Sequence, residues 1–345
     1  MSFDSETGIY RSPYSLLPHF PLRPTWSALL EDNPYSFVPD PTRPGKGVGK
    51  LTPSFEGQRH ENRIALTDAH SKRTYTYLEL QDLTLRLGAG LLEGARLKKG
   101  QVVLLSLIPN IEMAIIYLAC QAAGLIVACS NPLYTPSEVK HVVNMTRPDM
   151  IILTKQFLPS FSCLDEDKSG APRPKICFAD GHAADKDSWT ELGNAVWALQ
   201  NLIDDEPKAL KQRLEQIGGL TKDESFMDEP NGYFFSSGTT GMPKAVIQTH
   251  RATWNQIRIL LSCPGFTSLD SQSWTQDMRL PSDGYIKPGP SESVTLSLPL
   301  FHVGGMLSMW GAFGRGDHGI LFAPFDLQVF VKAIHDYKIP VRHAD

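Results

Sequence analysis

The sequence predicts an α/β fold, on three observations. Short and almost continuously apolar runs recur at 102–107, 125–129 and 150–154, the pattern of strands buried on both faces rather than one. Segments with helical spacing separate them, and two carry explicit start signals: Thr76 with Glu79, and Thr135 with Pro136 and Glu138. Strand, helix, strand, helix, strand in that order implies parallel pairing with helices on the sheet faces.

In chain order, residues 1–60 are dense in turn formers, including Pro34, Pro39, Pro41 and Pro44, then Gly45, Gly47 and Gly49. They read as an irregular N-terminal arm, not an autonomous unit. A helix follows Thr76, because its hydroxyl can accept an orphan N–H while the Glu79 carboxylate reaches back. Leu83, Leu87 and Leu91 then repeat every four residues on one face. The run 102–107 is β-rich and is broken at Pro109. A helix over 111–123 stops at Gly124, a residue suited to the left-handed position after a helix end. The run 125–129 is a second strand. Pro136 suits the first position of the next helix, and 150–154 is a third strand. Residues 204–228 are charged and read as exposed, with 221–231 as a surface crossing. The expected division is an arm (1–60), a first α/β subdomain (61–228) and a second (229–345).

Composition excludes several classes. The 345 residues are 41% hydrophobic and 20% charged, with a formal net charge of −4, so no basic face for nucleic acid is expected. Cys120, Cys129, Cys163, Cys177 and Cys263 are odd in number and scattered. That argues against a disulfide framework or a zinc site and fits a reducing compartment; no metal ligand is assigned. Residues 113–129 are the apolar stretch to test as a membrane span. Gln121 and Gly124 interrupt it and no basic cluster flanks it, so a buried helix followed by a buried strand is expected. No charged segment leading into an apolar one opens the chain, and secretion is not expected.

The most informative stretch runs from Tyr233 to Val246. A β-type run (Tyr233, Phe234, Phe235) enters it and another (Ala245, Val246, Ile247) leaves. Between them a polyphosphate would find what it needs. Gly238 and Gly241 let backbone N–H groups approach closely and adopt positive φ. Ser236, Ser237, Thr239 and Thr240 supply hydroxyl donors, and Lys244 supplies a fixed cation. Pro243 stiffens the exit. The two glycines are three residues apart and a strand follows the lysine, so this is not a Walker A loop, which opens a helix.

This run resembles the phosphate-binding signature of the adenylate-forming superfamily, approximately Ser/Thr-Ser-Gly-Thr-Thr-Gly-x-Pro-Lys-Gly-Val. Ala245 stands where the family usually has Gly. Further stretches resemble family landmarks in the right order: Thr74 to Leu80, Leu107 to Asn110, Asn131 to Pro136 with Glu138, and Leu298 to Gly305. The likeness runs from about residue 60 to the last residue. It implies the N-terminal part of the large domain of such enzymes, two stacked α/β subdomains with the second incomplete. Phosphate binding is carried over to Ser236, Ser237, Gly238, Thr239, Thr240, Gly241 and Lys244. His302 matches a histidine that in the family lies at the acyl pocket, near the path of the incoming thiol, and is the candidate catalytic residue. His250 is read as structural. Pro324 and Gly304 stand where plant coumarate ligases carry a lysine for coenzyme A and a pocket tyrosine, which argues against a hydroxycinnamate specificity.

The implied activity is that of an acid–thiol ligase, consuming a small carboxylic acid, ATP with Mg²⁺, and coenzyme A. Family members continue well past the match to Asp345, into an acidic motif for Mg²⁺, a ribose-binding Asp and a small domain with the adenylation lysine. No candidate for these is visible, so the chain reads as truncated and incomplete for catalysis. The alternatives are a non-catalytic fragment that at most binds nucleotide, and an adenylation unit that loads a carrier protein. A cytoplasmic location is expected, or a peroxisomal one for a full-length form.

Overall fold

The computed structural model describes residues 63–166, 172–180, 196–203, 224–236, 241–262 and 293–339, together with four short strands before them. Those strands form two antiparallel pairs: β1 (Ser2–Asp4) with β2 (Ile9–Arg11), and β3 (Val38–Pro39) with β4 (Gly47–Val48). The rest of the expected arm lies outside the described residues.

The body opens with β5 (Ile64–Asp68) and β6 (Thr74–Thr76), then α1 (Tyr77–Ala89). Thr76 and Glu79 form the expected capping box, each satisfying a backbone N–H of the other. Next come β7 (Val102–Ser106), α2 (Ile111–Ala122) and β8 (Ile126–Cys129). Asn110 caps α2, and Gly124 turns the chain out of it at φ +67°. The stretch tested as a membrane span thus divides into α2 and β8. Among the described residues no helix is long and apolar enough to cross a membrane. A second capping box, Thr135 with Glu138, starts α3 (Pro136–Thr146), with Pro136 in the first turn. Strand β9 (Met150–Leu153) follows as expected.

Beyond it come β10 (Lys175–Phe178), β11 (Val196–Ala198), β12 (Pro230–Ser236), β13 (Lys244–Thr249) and α4 (His250–Ser262). Strand β14 (Ser293–Leu296), α5 (Val303–Arg315), β15 (His318–Leu321) and α6 (Leu327–Asp336) complete the body.

Two sheets result. Seven strands lie in the order β11-β10-β9-β7-β8-β12-β13, parallel except for the last, which runs antiparallel to β12 at the edge. Four lie in the order β14-β15-β5-β6, parallel except for β6. Alternation along the strands sorts side chains to two faces. Val103, Leu105, Val127 and Phe234 join one core with α1, α2, α4 and α5, which also takes Leu66, Leu296 and Leu321 from the second sheet. Val102, Leu104, Ile126, Ile151 and Phe235 join another core with Val139 and Val142 of α3. Ile320 and Phe322 pack with Ala333 of α6 on the outer face of the second sheet. The layers therefore run α3, seven-stranded sheet, central helices, four-stranded sheet, α6.

The sheet boundary does not follow position 229 of the chain. Strands β12 and β13 extend the first sheet, while β5 and β6 belong to the second. Within the segment 221–231, the described residues 224–231 are also not a simple surface crossing. A 3₁₀ turn over Glu224–Asp228 tucks Phe226 and Met227 into the core, and the Phe226 ring meets His250 edge-on at 5.5 Å. Just beyond it, buried Asn231 accepts a hydrogen bond from Gln121 of α2 and donates to Thr253 of α4 at 2.8 Å. These bonds satisfy polar groups that burial would otherwise penalise.

Candidate functional site

Strands β12 and β13 are a hairpin held from both sides below its turn. Phe234 packs edge-on against Trp310 of α5, with ring centroids 6.3 Å apart, while Phe235 sits in the core under α3. The register pairs Phe235 with Ala245 and closes on Ser236 opposite Lys244. Both residues of the closing pair are exposed, at the mouth of the turn. Ser237, Gly238, Thr239 and Thr240 lie outside the described residues. Gly241 has φ +93° with nothing within 4 Å of an added Cβ. Its glycine is therefore required by backbone conformation rather than by crowding.

The turn's exit opens on a cleft of about 300 Å³ lined by Gly241, Pro243 and Phe235 on one side. Cys129, Asn131, Tyr134 and Glu138 line a second side, and Phe301 with His302 a third. Since β8 ends at Cys129 and β12 at Ser236, the cleft lies outside the carboxyl ends of parallel strands, where α/β sheets place ligands. The β8–α3 connection is shaped locally: Asn131 Oδ1 accepts the Leu133 N–H, and the Asn131 carbonyl accepts the Tyr134 N–H.

Glu138 accepts from the Thr135 hydroxyl at 2.7 Å and the Thr135 N–H at 2.8 Å, and these bonds hold its carboxyl below the usual range. Burial, followed by the Glu138 charge, raises the Tyr134 phenol, so it faces the cleft as a neutral O–H. Burial also pushes the Cys129 thiol up, Cys120 adding to the effect. A neutral thiol is a poor nucleophile.

His302 is exposed and caps α5: the Gly304 N–H donates to its Nδ1 at 3.2 Å. An imidazole nitrogen that accepts carries no proton, so a neutral ring has its hydrogen on Nε2. The first turn of α5 lies close on the preceding backbone, where a Cβ added at Gly305 would stand 2.2 Å from the Pro299 carbonyl oxygen. The amino end of a 13-residue helix thus borders the cleft and favours negative charge there. His250, by contrast, is buried, and burial with nearby Lys99 lowers it to about 4.

The structure brings His302, Gly241 and the residues next to Ser236 and Lys244 to one cleft. Sequence reasoning did not assign Tyr134, Phe235 or Phe301 to it. The signal was present for Tyr134, which lies in a family-like landmark. Among the described residues, no three His, Cys, Asp or Glu side chains gather as a metal-holding group.

The arrangement is a two-sheet α/β body with a cleft at the carboxyl ends of its parallel strands, bordered by Gly241 and Pro243 at the exit of the β12–β13 turn. The sequence profile of AMP-binding enzymes matches residues 55–344, and the chain belongs to that family. It is 24% identical over 307 residues to 4-coumarate–CoA ligase-like 4 of Oryza sativa subsp. japonica, covering 88% of this chain and 48% of the relative. It is 27% identical over 349 residues to 4-coumarate–CoA ligase-like 9 of Arabidopsis thaliana, covering 98% and 50%. The chain thus spans about half the length of the curated relatives it matches. Among solved structures, a long-chain-fatty-acid–CoA ligase from Archaeoglobus fulgidus superposes with a TM-score of 0.63 at 15% identity, covering 94% of this chain and 52% of that one. O-succinylbenzoate–CoA synthetase from Bacillus subtilis, solved with ATP and magnesium, gives 0.54 at 16% identity, covering 81% and 59%. These likenesses show the fold.

Proposed function

We propose that this chain serves the ATP-dependent activation of a carboxylic acid and the transfer of its acyl group to coenzyme A. The observation that carries the reading is the β12–β13 turn, with Gly241 at φ +93° and Lys244 at its exit beside the cleft. In the first step a carboxylate oxygen attacks the α-phosphorus of ATP, the bond to the bridging oxygen breaks, and pyrophosphate leaves. In the second the thiol sulfur attacks the acyl carbon, AMP leaves, and the thiol proton passes to solvent or a base. Ser236, Ser237, Gly238, Thr239, Thr240, Gly241 and Lys244 hold the polyphosphate and take up the charge that develops on it. Mg²⁺ enters with ATP and neutralises further phosphate charge.

His302 and the amino end of α5 border the space left for the acid and the thiol. Coenzyme A is favoured over a carrier-protein thiol by the relatives, which are named as CoA ligases. A reducing compartment, the cytosol in the first instance, accords with the buried thiols of Cys120, Cys129 and Cys177.

Residues 1–345 supply candidates for the grip on the pyrophosphate, so nucleotide binding is the sharpest test. Lys244→Ala is expected to weaken ATP by about 10- to 100-fold in calorimetric titration, the usual worth of a charge-assisted contact. Melting should be unchanged, because Lys244 is exposed. ATP affinity indifferent to this substitution would sink the reading.

A further inference from the structure

The turn's exit has weak support from its own sheet. Strand β13 is the edge strand, with β12 its partner on one side and Val246 and Ile247 exposed. The ladder ends at Ser236 opposite Lys244, so the Pro243 carbonyl falls just outside it. Proline has no N–H to offer in exchange, and Pro243 is buried. A buried carbonyl beyond the last ladder pair needs another donor.

That donor is His141. Its Nε2 lies 2.9 Å from the Pro243 carbonyl oxygen, across 102 residues of sequence. A carbonyl can only accept, so the proton is on Nε2. His141 stands three residues beyond Glu138 on α3, on the face that also lines the cleft. The helix itself is fixed at its start by the Thr135–Glu138 capping box.

We infer that His141 is a positioning residue for Lys244: it ties the base of the polyphosphate turn to α3 from outside the hairpin. This rests on the reading that the turn holds polyphosphate. A lysine is a point charge on a flexible stem, and its effect on a phosphate depends on where its backbone is held. Releasing the Pro243 carbonyl leaves that backbone anchored by one strand. The cost falls on ligands that reach the lysine, not on the nucleoside.

The test compares the wild-type chain with His141→Leu and His141→Gln. Affinities for ATP with Mg²⁺ and for AMP are measured, together with amide hydrogen exchange over residues 241–249. His141→Leu is expected to speed exchange there and to weaken ATP by about three- to tenfold, the range for one hydrogen bond, with AMP unchanged. His141→Gln, whose amide N–H can reach the same carbonyl, restores both. Unaltered exchange and ATP affinity in His141→Leu overturns the inference, as does equal weakening of ATP and AMP or failure of His141→Gln to restore. If His141→Leu does not fold, His141→Asn, whose shorter amide falls short of the carbonyl, takes its place with the same expectations. If the wild type binds no ATP, the functional reading falls, and exchange alone decides the tether: faster in His141→Leu and restored in His141→Gln upholds it, no difference overturns it.

Discussion

Strands β7 and β13 belong to one sheet and could hardly be built more differently. Every residue of β7 is buried and its side chains alternate between two cores. On β13, Val246 is 55% and Ile247 62% exposed, and the strand has one neighbour. Strand β7 is held by dispersion and apolar burial acting from above and below. Strand β13 is held by its ladder to β12, by Gln248, which turns inward and bonds Gln256 of α4, and by His141 at its start. Stability resides in the first and the candidate site on the second. Sequence change should therefore separate the two properties.

The largest expected effect is in the centre. Leu104 is fully buried in the core under α3, and Leu104→Ala should cost about 2–5 kcal/mol, a transfer term plus a cavity term. Denaturant unfolding checks this, and a loss within the range of surface substitutions would break the contrast.

Next is the residue at which β13 passes into α4. His250 is held near 4, against an ordinary value of 6.5. Below pH 6.5 the unfolded chain takes up a proton that the folded chain refuses, so stability falls as pH drops from 6.5 toward 4 and is flat above. The effect reaches about 3 kcal/mol at pH 4. Half-buried His318, also held at about 4 by desolvation, acts with the same sign. Urea midpoints across this window should show a smaller pH slope in His250→Gln; an unchanged slope would mean that the ring charges freely in the folded state.

The smallest effect is on the exposed strand. Val246→Thr keeps the β-branch and should shift stability by no more than about 0.5 kcal/mol. A larger loss in thermal melting would show that this face is covered.

Much of the first sheet was legible because its signals are local. The boxes at Thr76 and Thr135, the stop at Gly124 and the three apolar runs each lie within a few residues of the element they specify. The entering and leaving strands of the hairpin were legible for the same reason. What escaped is non-local or short. Phe226 and Met227 are two apolar residues in a single 3₁₀ turn, too brief for any period, amid charge that reads as surface. Strands β10 and β11 carry three or four residues each, below the length at which alternation distinguishes a strand. The hydrogen bond from His141 to Pro243 joins two segments with no pattern in common. In the candidate site the glycine at 241 and the strands on either side of the turn were legible from composition and order. The convergence of Tyr134, Phe301 and His302 on Gly241 was not, because it depends on how three elements pack.

The second sheet imposes an order on assembly. Arg63, just before β5, donates to the carbonyl of Gly316, 253 residues later, and β5 pairs with β15 directly. At a synthesis rate of roughly 5–20 residues per second, β5 waits on the order of ten to fifty seconds for that partner. Throughout that interval Leu66, wholly enclosed in the finished molecule, has only the nascent chain around it, long after the first sheet's central strands have left the ribosome.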